Sequence, residues 1–491
     1  MRVNARKIIW FSLLGLLLFA LSPVFFLVSV YVKEKKIPIE KKSSLIRDAS
    51  NLNEVMVDTV VQVANNITEG TLQIQELIKI ASEQRKSISI AGARHSMGGH
   101  TIYKDGIVLD MKSFNYMKLD TTNNLLLVGA GALWSDVLRY LDKYNRSVKV
   151  MQSNNSFSVG GSVSVNCHGW QANSPPIAST VMSFRLMDAG GQILTCSRTE
   201  NAELFSLVLG GYGLFGVILD LKLKVTDNKV YVVKQYVVQS KDYFNAFKRY
   251  VENGSNVEMA YGRININPRH FMEEAILSTY TVKGGVLKEN ADQFSFVALR
   301  RTLFRGSVNS DYGKDLRWRI EKMATKAING KEFSRNRLLS EGVEVFQNRD
   351  SNYTDILHEY FVPGDSLAGF IGAVQKIIPD FKVDLLNITV RNVMTDKDTF
   401  LSYAKKDVFG LVMLFNQKRD KTAEYEMKAL TQKLIVTVIR YNGTYYLPYR
   451  LHATKELMDR AYPNAESFFE LKLKYDPLLV FRNQFYEKYK R

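Results

Sequence analysis

The chain is poor in several things that would have told a simple story. It has only two cysteines, Cys167 and Cys196, in 491 residues. That excludes a disulfide framework, and no CxxC or His/Cys spacing suggests a metal site, so two buried thiols are the plain reading. Neither the nucleotide fingerprint GxGxxG nor the phosphate loop GxxxxGK[ST] occurs, which removes the two commonest phosphate-binding readings. There is no internal repeat and no low-complexity tract. The formal net charge is +17, yet the Lys and Arg residues are scattered, with no zinc finger, RNP-like motif or basic helix. The basic balance therefore suits anionic lipid better than nucleic acid, and no nucleic-acid partner is expected.

Charge is missing altogether from one stretch. Ile8 to Val32 has no charged side chain, and about 20 apolar residues in a helix span a bilayer. The run is longer than a signal-peptide core and no small-x-small cleavage pattern follows it, so it predicts a retained single-pass anchor. Pro23 lies inside it and predicts a kink. Arg2, Arg6 and Lys7 precede the run; Lys33, Lys35, Lys36, Lys41, Lys42 and Arg47 follow it, which leans toward a cytoplasmic catalytic body.

What the body does have is glycine turns among short elements. From Thr71, the spacing of Ile74, Leu77, Ile78 and Ala81 predicts a helix, and Ser87 to Ala91 a strand that feeds the turn Gly92 to Gly99. Gly106 to Met111 and Leu125 to Val128 read as strands, and Trp134 to Tyr144 as a helix. Val181 to Asp188 and Gln192 to Ser197 read as a hairpin across Ala189-Gly190-Gly191. A second glycine region, Ser158 to Gly169, pairs a turn with small residues expected to alternate along a strand. A third runs from Gly210 to Gly216. Beyond about Val230 glycine thins and aromatics rise, which marks a second lobe; near Thr437 a β-like pattern returns. Such turns let backbone N–H groups and a flat ring approach closely.

Four blocks, AGARHSMGG, VGAGALWSDVLRYL, SVGGSVSVNCHG and ENAELFSLVLGGYGLFGVI, occur in that order between Val55 and Val225. Together they resemble the FAD-binding domain of the p-cresol-methylhydroxylase type, in the vanillyl-alcohol-oxidase superfamily. Fainter echoes follow in His358-Glu359-Tyr360-Phe361-Val362-Pro363, in Lys474-Tyr475-Asp476-Pro477 and in Phe481-Arg482-Asn483. The resemblance implies an α+β fold: a two-subdomain FAD-binding domain (55–228), an α+β substrate or cap domain (229–436) and a C-terminal segment returning to the FAD domain (437–491). A transmembrane anchor (8–32) and a juxtamembrane linker (33–54) precede them. It implies FAD held by Gly92, Ala93, Arg94, His95, Ser96, Met97 and Gly98 of the first loop. Ser158, Gly160, Gly161, Ser164, His168 and Gly169 would serve from the second, Gly211, Gly213, Gly216 and Val217 from the third, and Asn483 from the end. The first loop is similar to sugar-lactone oxidases (the D-arabinono-lactone type among them), alditol oxidases and cytokinin dehydrogenases, in which such a histidine bonds covalently to the flavin; His95 matches it. The central block is similar to decaprenylphosphoryl-ribose oxidases, which hold FAD without that bond.

Oxidation of an alcohol needs a hydride acceptor, which the flavin supplies, and a proton acceptor or cationic anchor from the protein. The candidates are His168, after the glycine strand; Arg391, in Thr389-Val390-Arg391-Asn392-Val393; and Tyr449, Arg450 and His452 of the closing segment. The resembling oxidases carry a lysine where Tyr449 stands here. The function implied is FAD-dependent oxidation of a CH–OH group in a sugar-like, sugar-lactone, polyol or lipid-linked substrate, with oxygen or a membrane or soluble carrier as electron acceptor. Two alternatives are a flavin-dependent C=C reductase of the delta-24 sterol type, against which His95 argues, and a non-catalytic membrane-bound binding protein, against which the intact glycines argue.

Overall fold

The structure is a computed structural model that describes residues 5–36, 45–287 and 297–491, side chains 5–19 excepted. Arg2, Lys41 and Lys42, and the side chains of Arg6 and Lys7, lie outside the described residues, as does the linker over 37–44.

Three sheets organise the body. The first is small and parallel: Thr59–Gln62, Ile107–Asp110 and Ile88–Ala91, with Ile107–Asp110 in the middle. The helix Ile67–Glu83 is capped by the Asn66 side chain, which accepts from the N–H groups of Thr68 and Glu69. Its Ile74, Ile78 and Ala81 are buried, in line with the expected apolar face. The second sheet is antiparallel, in the order Ile193–Ser197, Val181–Met187, Val217–Asp227, Leu125–Gly129, Met117–Asp120. Its first pair is the expected hairpin, with Ile193 opposite Met187. The third sheet has eight strands and is antiparallel throughout. Its core runs Val230–Gln239, Glu274–Val282, Val257–Ile264, Asp384–Val393, Val408–Lys418, Tyr353–Pro363.

The end of the chain returns to its beginning. Ile88 N–H donates to Val480 O at 2.6 Å, and the Ser89 hydroxyl donates to Arg482 O at 2.6 Å. Two local readings need correction. Val159–Ser164 is a helix, not a strand. Thr437 lies inside the helix Lys421–Arg440, whose Met427, Leu430, Thr431, Leu434, Ile435 and Val438 are buried at helical spacing.

The first helix runs Ala5–Lys36 with Pro23 inside it. Among the described residues no helix is long and apolar enough to cross a membrane, so the anchor expected over 8–32 finds no support here. The described half of this helix leans on the body: Phe26 packs edge-on against Tyr312 with ring centroids 5.0 Å apart, and Glu34 pairs with Arg301 at 2.5 Å.

Candidate functional site

A cavity of about 970 Å³ lies where the three glycine turns meet the third sheet. Ligand sites usually measure about 300–1,000 Å³. This one is at the upper end, large enough for a cofactor beside a substrate.

The first turn enters the cavity from the strand Ile88–Ala91. Arg94 has φ of +58°, a left-handed backbone rarely taken by a bulky residue. Ala93 N–H donates to Ser158 Oγ at 3.3 Å, which ties the first turn to the second. His95 stacks on Phe157, centroids 4.1 Å apart and planes 14° apart, and its Nε2 lies 3.2 Å from Ser156 O. Burial holds the His95 imidazole below its usual pKa against the pull of the Ser156 carbonyl, so it is neutral. Burial also pushes His100 down to about 3, despite its contact with the Leu447 carbonyl.

The second turn is set by close backbone approach. Gly160 N–H donates to Ala130 O at 2.8 Å, and a Cβ at Gly160 would stand 2.8 Å from Ala130 Cβ. At Gly92 a Cβ would stand 2.0 Å from Ser158 Oγ. In the third turn Tyr212 and Gly213 have φ of +56° and +72°. Gly211 and Gly216 also reach the cavity, as do Ser96, Met97, Gly161 and Ser164.

Four expected cofactor residues shape the cavity from behind. A Cβ on Gly98 would stand 2.4 Å from Tyr449 O, and one on Gly169 would stand 1.9 Å from Met151 O. Val217 is a core residue of its strand. Asn483 donates to His100 O at 3.0 Å and to Tyr212 O at 2.8 Å, clamping the first and third turns together.

The opposite wall carries the ionisable groups. His168 Nε2 lies 2.6 Å from Glu359 Oε1, with side chains only 4% and 1% exposed. Tyr449 OH donates to Glu359 Oε2 at 3.1 Å. Arg391 donates to Ser153 Oγ at 2.9 Å and lies 3.5 Å from His168 O. His168, Arg391 and Tyr449 are thus brought together, whereas Arg450 and His452 turn away. Both bind Glu424, His452 Nε2 at 2.9 Å, and Thr431 Oγ1 lies 2.9 Å from His452 Nδ1. Glu359 escaped the sequence reading. Its signal was a carboxylate in the apolar strand Tyr353–Pro363, where an unpaired charge would be costly.

Residues 67–197 match the family described as FAD binding domain, which falls on the first two turns. Over those residues the chain carries an FAD-binding domain of the p-cresol-methylhydroxylase type, and its cofactor is FAD. Among similar proteins is the L-gulonolactone oxidase of Bos taurus, 27% identical over 182 residues, 37% of this chain and 40% of that one. Another is the D-arabinono-1,4-lactone oxidase of Candida albicans, 22% identical over 338 residues, 63% of this chain and 57% of that one. Cytokinin dehydrogenase 3 of Arabidopsis thaliana is 24% identical over 444 residues, 84% and 83% of the two chains. The chain spans 38% and 40% of the length of the first two curated relatives it matches.

The residues fit the cofactor. Among the described residues, Ser96 Oγ and Arg94 Nε of the first turn and Thr101 Oγ1 just after it are buried without a hydrogen-bond partner, a donor set open to a ligand. At Gly92, Gly160 and Gly161 the place of a Cβ is taken by Ser158 and Ala130, so the backbone of the first two turns packs tightly along the cavity that the three glycines line.

Proposed function

We propose that this chain is an FAD-dependent oxidoreductase that oxidises a CH–OH group of a small, sugar-like hydroxylated substrate. One observation carries the reading: three glycine turns open on one side of a cavity whose other side holds Arg391 and the buried His168–Glu359–Tyr449 set. When bound, the flavin supplies a two-electron hydride acceptor. The chain's own residues then have two tasks. Arg391 offers a fixed guanidinium to orient a hydroxyl and steady developing negative charge. The ionisable set receives a proton. Sugar-lactone substrates are supported by the two lactone-oxidase relatives.

A second reading is a dehydrogenase of a cytokinin-like compound. It is favoured by the alignment that covers 84% of the chain, and by Trp170 and Tyr261, stacked rings in the cavity wall with centroids 4.6 Å apart. The test serves both. Full-length protein loaded with FAD is mixed anaerobically with lactones, polyols and cytokinins while the flavin absorbance is followed. Bleaching by a lactone or polyol supports the first reading, bleaching by cytokinins alone the second, and bleaching by none overturns both.

The first helix is read as a membrane attachment. Leu21, Val24, Phe25, Val28 and Val32 are exposed apolar side chains at helical spacing, with nothing in the described body to cover them. Release of the full chain into the soluble fraction by salt alone would count against this.

A further inference from the structure

Glu359 is an unlikely residue for its surroundings. It sits in a strand whose neighbours His358, Tyr360, Phe361 and Val362 are buried, and it is itself 3% exposed. A carboxylate so placed needs donors close to its oxygens. Oε2 accepts from the Tyr449 hydroxyl, and Oε1 lies 2.6 Å from His168 Nε2 without a hydrogen-bond partner. The Tyr449 hydroxyl meets this carboxylate with a transferable proton.

The three groups are graded in exposure. All three line the cavity; His168 and Glu359 are buried and Tyr449 is half-buried. His168 Nε2 stands beside one carboxylate oxygen of Glu359, and the tyrosine hydroxyl binds the other. His168 Nδ1 has no hydrogen-bond partner. Around the set stand the rings of Tyr403 and Tyr446, the Cys167 thiol and the Arg391 guanidinium. Burial pushes Cys167 up to about 12 and raises Tyr403, Tyr446 and Tyr449 alike well above the usual phenol range; what sets Tyr449 apart is its partner, since Tyr403 and Tyr446 donate to the Asn166 and Val165 carbonyls and Tyr449 donates to Glu359.

We propose that Tyr449, Glu359 and His168 form a proton relay that takes the hydroxyl proton of the substrate; this rests on the alcohol-oxidation reading above. The substrate O–H bond breaks and its proton passes to the Tyr449 oxygen. Tyr449 passes its own proton to Glu359 Oε2, leaving a neutral carboxylic acid beside His168. The substrate C–H electron pair would leave as hydride for the flavin held in the cavity, and the carbon would become a carbonyl. Tyr449 is the catalytic residue; Glu359 and His168 act through it.

The test uses full-length holoprotein with L-gulono-1,4-lactone and D-arabinono-1,4-lactone as probes. Y449F removes one oxygen and keeps the ring. It should keep its FAD and its KM while kcat falls about 100-fold. E359Q should do the same, and E359D should recover part of the loss. Histidine-specific nitrogen NMR gives a readout independent of turnover: the His168 ring-nitrogen signals should move in both Y449F and E359Q. Full kcat in Y449F overturns the relay and leaves the oxidase reading standing. If wild type binds FAD but oxidises neither lactone, the lactone reading falls and the NMR signals decide alone. His168 signals unchanged in both variants then overturn the relay.

Discussion

Gly160 donates its N–H to the Ala130 carbonyl at 2.8 Å, so two backbone segments touch where most proteins place side chains. Adding a methyl in G160A would bring carbon within 2.8 Å of Ala130 Cβ and 2.9 Å of Ala130 O. Overpacking of this kind costs about 1–3 kcal/mol. The variant should stay folded but purify with little FAD, measured by the ratio of flavin to protein absorbance. A wild-type ratio would show that the turn tolerates the methyl.

His95 is the expected attachment point for the flavin. Its neutral imidazole, held below the ordinary pKa by burial, is a competent nucleophile. Acid-precipitated wild-type protein should stay yellow, and H95A should give a white pellet and a yellow supernatant. A white wild-type pellet would assign the non-covalent branch.

Arg391 is predicted to act on the reaction and not on the fold. R391M should retain FAD and lose turnover about 100-fold. R391K should recover little, because an ammonium cannot reproduce the planar fork that reaches Ser153 and the His168 carbonyl together. Steady-state kinetics on whichever probe bleaches the flavin decides this.

Glu424 should behave in the opposite way. Burial opposes its ionisation, yet His452 and Arg450 hold its carboxyl at about 2. E424Q weakens the bonds to both partners and should cost about 1.5–3 kcal/mol. Turnover per bound FAD should not change. A fall in turnover with stability intact would return Arg450 and His452 to the chemistry.

Acid should destabilise the protein well above the carboxylate range. Burial, aided by His452, pushes His358 down to about 3, and burial does the same to His100. An unfolded histidine takes its proton near 6.5. Between those values the unfolded chain binds more protons than the folded one. Stability is therefore whole above about pH 6.5 and falls as pH drops, by up to about 1.4 kcal/mol per pH unit for each histidine. Glu424 adds a further loss below about pH 4.5, toward its folded value near 2. Urea midpoints at pH 7.5 and 5.5 should differ, and H358Q should narrow the gap.

The glycine turns were legible in sequence because backbone approach leaves a residue signature: only glycine fits where Gly160 meets Ala130 or where Gly169 meets Met151 O. The helix Val159–Ser164 was not legible, since Gly-Gly-Ser-Val is a poor helix former and tertiary contact overrides it. The run Ile435-Val436-Thr437-Val438-Ile439 looks like a strand because β-branched residues favour sheets. The apolar stripe set further back in Lys421–Arg440 wins instead. Glu359 and Tyr449 are 90 residues apart in sequence, and no local pattern announces that they will share a proton. Arg450 and His452 flank Tyr449 closely, but neither faces the way it does, a distinction that residue type alone does not carry.

The bonds from Val480, Arg482 and Asn483 to Ile88, Ser89, His100 and Tyr212 set an order of events on the ribosome. The turns that cradle the cofactor are translated well before the clamp that joins two of them. A nascent chain halted before Val480 has every glycine it needs but lacks the Asn483 amide that ties those two turns together. A chain cut there should therefore take up less FAD than one that carries Asn483, read as the ratio of flavin to protein absorbance.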